Sequence, residues 1–247
     1  MLFTLFIWWL TLAVLCLAGW ALLQALGWKE GVALLSWGRP VGLLSLGWLT
    51  WLLGHVVSVP MALGLSLSTL LVGGGWAIWK HRSAWSVTLH VHWRELLTGE
   101  VLFLAAAAWV AFTGSRMPGA VHTEQPMDMA FLASCIRAER MPPADPWLAG
   151  EPISYYYLGY LLWGLPARLT GTAPTVAYNL ALAGTAGLAV QALYGLLWTL
   201  LLQSKARHLW SAAGAAAILA MGNLVMAVEA LHALGVLPEA MARWLGV

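Results

Sequence analysis

The sequence predicts an all-α fold: a polytopic transmembrane helical bundle of about seven spans, with an exterior loop that contains a juxtamembrane amphipathic helix. Three observations predict it. Of 247 residues, 61% are hydrophobic and only 9% charged, with a mean hydropathy of +0.79, a composition that belongs to a chain solvated mostly by lipid. Apolar windows of about 20 residues, the length needed to cross a hydrocarbon core of about 30 Å, recur along the chain. Five of the ten acidic residues, both aspartates among them, fall between Thr123 and Leu162, and everything around that stretch is oily.

Taken in order, the spans are expected near 3–27, 40–58, 60–79, 96–115, 154–171, 175–202 and 209–230. The first has no positive n-region and no small-residue cleavage site, so it reads as a retained span rather than a removed signal peptide. Little more than Ser58 and Pro60 separates the second and third, which predicts a tight helical hairpin. Residues 80–94, with Lys80, Arg82 and Arg94 and three histidines, form the most basic connection and are expected in the cytoplasm. Counting back places Lys29 and Arg39 inside and the N-terminus outside; counting forward places the acidic loop 116–153 outside.

The charge bias then conflicts with itself, because a full span over 154–171 would put Lys205, Arg207 and His208 outside. Either the bias is overruled there or the tyrosine segment is short and re-entrant; the full span is the preferred expectation, since re-entrant backbone must be buried in protein or water. Three regions result: N-terminal transmembrane helices over 1–115, the exterior acidic loop with its juxtamembrane helix over 116–153, and C-terminal transmembrane helices over 154–247. Alanine patches at Ala105 to Ala108 and Ala212 to Ala217 permit close helix packing.

A net charge of +2 with scattered basic residues argues against a nucleic-acid partner. Two cysteines, Cys16 and Cys135, offer no zinc or redox spacing. Chemistry is therefore sought in the loop. Pro126 suits the first turn of a helix and Pro142-Pro143 ends one, bracketing about four turns. At 100° per residue Asp128 lines up with Phe131, Leu132, Cys135 and Ile136, and Arg137 falls opposite, so the carboxylate sits on the apolar stripe of a helix lying along the membrane surface. Glu139, on the same face near the end, weakens the pattern.

Asp128 is a candidate base or metal ligand, weighed evenly against a first-turn acid that complements the helix dipole. Glu124, just ahead of Pro126, is close enough to share a divalent cation, magnesium or manganese, through oxygen ligands; by itself it reads more readily as a solvated loop acid. Asp145 and Glu151 each precede a proline and read first as turn formers, with Trp147 between them. Tyr155, Tyr156 and Tyr157 are expected to open an apolar helix, with Tyr160 one turn later. As helical neighbours they point about 100° apart, so at least one must bring its hydroxyl to the bundle, a combination that suits a sugar or phosphate headgroup. His55, Asn179, Asn223 and Glu229 are expected to make interhelical hydrogen bonds, Glu229 being the deepest acid, and Glu95 and Glu100 to meet the basic loop before them.

The segments TEQPMDMAFL, PPADPWLAGEPISYYYLGYLL and VAYNLALA closely resemble the YYY membrane protein family, a domain of unknown function of Chloroflexi-like bacteria and archaea. GRPVGLLSLGWLTWLL and GEVLFLAAAAW are similar to it too, so the resemblance covers most of positions 20 to 190. That family is grouped with the GT-C superfamily of membrane glycosyltransferases, and the resemblance implies a GT-C-like fold in a multi-pass cell-membrane protein. It further implies transfer of a sugar from a polyprenyl-phosphate donor to an acceptor at the exterior face. In that pattern Asp128 and Glu124 would be catalytic or hold the metal. Asp145, Trp147, Glu151, Tyr155, Tyr156, Tyr157 and Tyr160 would bind substrate, and Arg137, Arg140, Arg116 or His122 would meet the phosphate. Two departures stand out: these acids are less tightly paired than in the GT-C pattern, and the chain, which stops just after an apolar helix, is shorter than such proteins and reads as a fragment or minimal version. A transporter or lipid-handling protein without bond chemistry, and a structural membrane subunit using the loop as a docking surface, are the alternatives. The residues leave protein partners and the sugar undetermined.

Overall fold

The computed structural model describes residues 2–29, 31–116, 124–221 and a few isolated positions beyond; the side chains of Arg116 and of residues 218–221 are among those not described. His122, Asn223, Glu229 and the end of the expected span 209–230 therefore lie outside the described residues. Nine helices form within them: α1 (Leu2–Ala25), α2 (Gly31–Gly54), α3 (Val59–Lys80), α4 (Arg82–Val91), α5 (Trp93–Arg116), α6 (Gln125–Arg137), α7 (Leu158–Thr170), α8 (Pro174–Leu200) and α9 (Arg207–Met221). The β structure among the described residues is an isolated bridge between Ala144 and Pro152. Five helices, α1, α2, α3, α5 and α8, are long and apolar enough to cross a membrane.

The α1–α2 pair forms one side of the bundle, and small residues let the backbones touch. A Cβ on Gly19 would fall 1.9 Å from the Gly38 carbonyl oxygen and one on Gly42 2.0 Å from that of Leu15, so only glycine allows this crossing. α5 and α8 pack in the same way where Gly187 meets Phe103. Leu12, Leu15, Leu43, Leu46, Leu63, Phe103, Leu161, Leu165 and Leu188 form the main buried cluster.

α2 begins nine residues before the expected span 40–58 and carries Pro40 inside it. Arg39, expected in a cytoplasmic loop, is instead 4% exposed. Its Nη2 lies 2.8 Å from Glu100 Oε2 of α5, its Nη1 donates to Gln191 Oε1 of α8 at 3.1 Å, and the guanidinium sits 4.4 Å above the Phe103 ring. Glu100 Oε1 also accepts from Trp9 Nε1 at 2.6 Å. Glu100 thus turns into the bundle rather than toward the basic connection, because an unpaired guanidinium there would be far more costly than the pair. Glu95 does face that connection, 3.9 Å from His92. His55, just past the end of α2, and Asn179 of α8 hydrogen-bond locally, to the Trp51 and Thr175 carbonyls, and not across to neighbouring helices. The basic connection itself coils into α4, none of whose residues is buried.

α7 corrects the expected span over 154–171. Its 13 residues reach about 20 Å, short of a core of about 30 Å. Both of its ends meet the same end of the bundle. At its start, Trp51 Nε1 of α2 donates to Tyr157 Oη at 2.7 Å. At its finish, Trp8 Nε1 of α1 donates to Thr172 Oγ1 at 2.8 Å, and Arg168 binds the C-terminus of α6. This is the end where the α2–α3 turn lies, since Met141 N donates to Gly54 O and Val59 N to Glu139 O. Buried on α1, α2 and α8, α7 supplies the protein environment that a non-spanning segment requires. α8 therefore runs to the opposite end, where His208 approaches Thr98 and Tyr194, at 3.4 and 3.3 Å. Lys205 and Arg207 then share an end with Lys29, Lys80, Arg82 and Arg94, and the conflict in the charge bias disappears.

Candidate functional site

The residues singled out in the loop are held on α6, which forms as expected between Pro126 and the Pro142-Pro143 pair and runs 13 residues. Phe131, Leu132 and Cys135 are buried and turn the apolar stripe onto α7, where Gly164 leaves room for Cys135. Burial pushes the Cys135 thiol up to about 12, so it is a packing residue rather than a nucleophile. The free carbonyls at the C-terminus of α6 are taken by Arg168, which donates to Ile136 O at 3.0 Å and Ala138 O at 2.6 Å and pairs with Glu139 at 3.1 Å. A cation at a helix C-terminus satisfies both the orphan carbonyls and the dipole. Arg168 sits inside an apolar run, and its isolation there was the signal that it had a partner to find.

On the stripe, Asp128 Oδ1 accepts a hydrogen bond from Tyr160 Oη at 2.5 Å. Burial, then the bond to Asp128, pushes the Tyr160 phenol upward, so it stays a donor at any ordinary pH. Phe131 lies beneath, its ring 5.6 Å from Tyr160 and 5.5 Å from Tyr155, on which it stacks. Tyr155 in turn donates to Tyr156 Oη at 2.5 Å, with ring centroids 3.9 Å apart. The bond to Tyr156, with smaller effects of desolvation and of the Glu124 and Asp128 charges, raises Tyr155 to about 12. Glu124 caps the backbone position ahead of α6, exposed and without a side-chain capping bond.

The three consecutive tyrosines do not open the helix, which starts at Leu158. Off the helix they are free of its 100° spacing: Tyr155 and Tyr156 lie together on the surface, and Tyr157 alone turns inward to Trp51. Tyr178 of α8, within the VAYNLALA segment, joins Leu132, Ile136, Tyr160 and Trp163 in one cluster. Its place one helix away in sequence gave no sign of that.

The remaining residues of the expected site are elsewhere. Ala130, Ser134 and Arg137 lie on the face of α6 opposite Asp128, and with Arg140, Asp145 and Glu151 they line a cleft of about 940 Å³. Asp145 is the turn former it reads as: its Oδ1 accepts from the amides of Trp147 and Leu148 at 2.8 and 3.1 Å. Trp147 projects from that turn, 66% exposed. Helix α6 thus divides the sequence-derived set into two groups, Asp128 with Glu124 and the tyrosines on one side and the arginines with Asp145 and Glu151 on the other. Among the described residues no group of three or more His, Cys, Asp or Glu gathers as a metal site would. Glu124 and Asp128 are two carboxylates, the number with which a magnesium ion is commonly held when water and substrate phosphate complete its shell.

A family model described as "Uncharacterized membrane protein (DUF2298)" matches residues 45–246. The chain belongs to that membrane-protein family. No curated protein and no solved structure matches it. The matched region includes α6, α7 and both groups of loop residues, and the family's description agrees with the five long apolar helices.

Proposed function

We propose that this member of the family is a GT-C-like membrane glycosyltransferase that moves a sugar from a polyprenyl-phosphate-linked donor to an acceptor hydroxyl. The observation that carries the reading is the Asp128 carboxylate, oriented through Oδ1 by the Tyr160 hydroxyl and flanked by the exposed Tyr155–Tyr156 pair. In this role Asp128 takes the acceptor's proton as the acceptor oxygen bonds the anomeric carbon and the bond to the donor phosphate breaks. Tyr160 fixes the carboxylate and shares its charge. The tyrosine faces supply apolar surface and hydroxyls for a sugar ring. Glu124 with Asp128 would hold a magnesium or manganese ion, which would offset charge on the departing phosphate.

Charge supports an exterior site. Lys29, Lys80, Arg82, Arg94, Lys205 and Arg207 gather at the end away from α6, which supports a cytoplasmic position for that end and an exterior one for the Asp128 group. Transfer of radiolabelled sugar from polyprenyl phosphate, measured in membranes carrying the wild type or Asp128→Asn, tests the reading; equal transfer by both removes Asp128 from the mechanism.

The buried Arg39–Glu100–Gln191 network favours a second reading, a transporter or lipid-handling protein, because ionisable groups within a bundle commonly mark a substrate path. That reading expects solute or lipid movement that Glu100→Gln abolishes and Asp128→Asn spares.

A further inference from the structure

The cleft on the far face of α6 is a built feature of the loop. Three ties close the turns around it: the Ser134 hydroxyl donates to Ala144 O, Asp145 N to Glu151 O at 2.8 Å, and Ile153 N to Pro143 O at 2.9 Å. Small side chains at Ala130 and Ala133 leave room along the helix. Of its acids, Glu139 is paired with Arg168 and Asp145 holds turn amides, which leaves only Glu151 to balance the cleft's own cations. Those are Arg137 and Arg140, both exposed. Neither guanidinium makes a hydrogen bond or ion pair with another described residue.

Two arginines lining one pre-formed cleft suit the chemistry of a phosphate, whose oxygens accept paired N–H donors from guanidinium groups. The cleft also lies at the end of the bundle that carries the α2–α3 turn and the start of the short α7. Lipid headgroups lie beyond the ends of membrane-spanning helices such as α2 and α3, so their phosphates belong to the chemistry such a cleft can meet.

We propose that this cleft is a phosphate-binding site, separated from Asp128 by the width of α6, that takes the phosphate of an anionic lipid headgroup or of a soluble phosphorylated molecule. It does not depend on glycosyl transfer. A headgroup phosphate held there would fix the depth of α6 and hence of the Asp128 face.

The protein reconstituted in nanodiscs of phosphatidylcholine, with or without phosphatidylglycerol, is analysed by native mass spectrometry for bound lipid, and in detergent it is titrated with inorganic pyrophosphate. Phosphatidylglycerol retained above phosphatidylcholine identifies a lipid source; pyrophosphate binding without that preference identifies a soluble one. In either case Arg137→Gln with Arg140→Gln weakens binding about tenfold or more, the loss of charge-assisted bonds, whereas Arg137→Lys with Arg140→Lys keeps part of it. Elution of the glutamine variant at the wild-type volume checks that it folds. Absence of binding by both probes, or binding by the glutamine variant equal to the wild type, overturns the proposal.

Discussion

Arg39 and Glu100, 61 positions apart, meet at 2.8 Å inside the bundle, and the arginine is 4% exposed. With Gln191 and Trp9 the pair joins α2, α5, α8 and α1. Removing one partner of a buried ion pair leaves an uncompensated charge and costs about 3–5 kcal/mol, while replacing both by apolar side chains is often neutral. Arg39→Met and Glu100→Gln are therefore each expected to lower the unfolding midpoint in detergent strongly, and Arg39→Met with Glu100→Leu to recover most of the loss. Additive losses would mean that the pair is not coupled.

The short α7 makes a prediction about sides. In a background without native cysteines, Ser83→Cys and Ser204→Cys are expected to react with a membrane-impermeant maleimide from one side of the membrane, and Glu151→Cys from the other. A full span over 154–171 would instead place positions 151 and 204 on the same side.

Glycine substitutions should divide by sign. At Gly19 a Cβ meets the Gly38 carbonyl oxygen at 1.9 Å, so Gly19→Ala forces α1 and α2 apart, at a cost of about 1–3 kcal/mol or more. At Gly64 of α3 nothing lies within 4 Å, and Gly64→Ala is expected to be neutral or to stabilise by up to about 1 kcal/mol through helix propensity. Chemical denaturation of the two variants decides it.

The tyrosine pair sets an alkaline limit. Tyr155 is raised from 10.0 to about 12 because its hydrogen bond to Tyr156 favours the neutral phenol. A phenol whose folded value lies above its unfolded one contributes stability that is whole below about 10 and is lost as pH rises through about 12. Ultraviolet titration is expected to show one fewer late-ionising phenol in Tyr155→Phe than in the wild type, with a shallower loss of stability over that window. An unchanged titration would mean the two hydroxyls are not bonded.

Hydropathy made most of the bundle legible, because α1, α3, α5 and α8 are each a single apolar run bounded by polar residues or proline. It failed where length was counted without backbone context: 154–171 is apolar enough to span, but the first four of those residues are not helical and the rest turn back on the bundle. It failed again at Arg39, since no local pattern reveals a partner three helices away. Asp128 on the buried stripe was legible from the 100° spacing of α6, and Tyr160 as its donor was within reach of the same reasoning. The division of the loop residues by α6 was not, because Arg140, Asp145 and Glu151 lie beyond the helix, where periodicity says nothing.

The most direct measurement is the initial rate of sugar transfer from a polyprenyl-phosphate donor by purified protein in proteoliposomes, wild type against Asp128→Asn, with equal amounts of folded protein confirmed for both. A general base at Asp128 predicts a fall of about 10²–10⁴-fold, with Tyr160→Phe intermediate. Rates that match within error, or no transfer by the wild type with any polyprenyl-linked sugar, would contradict it.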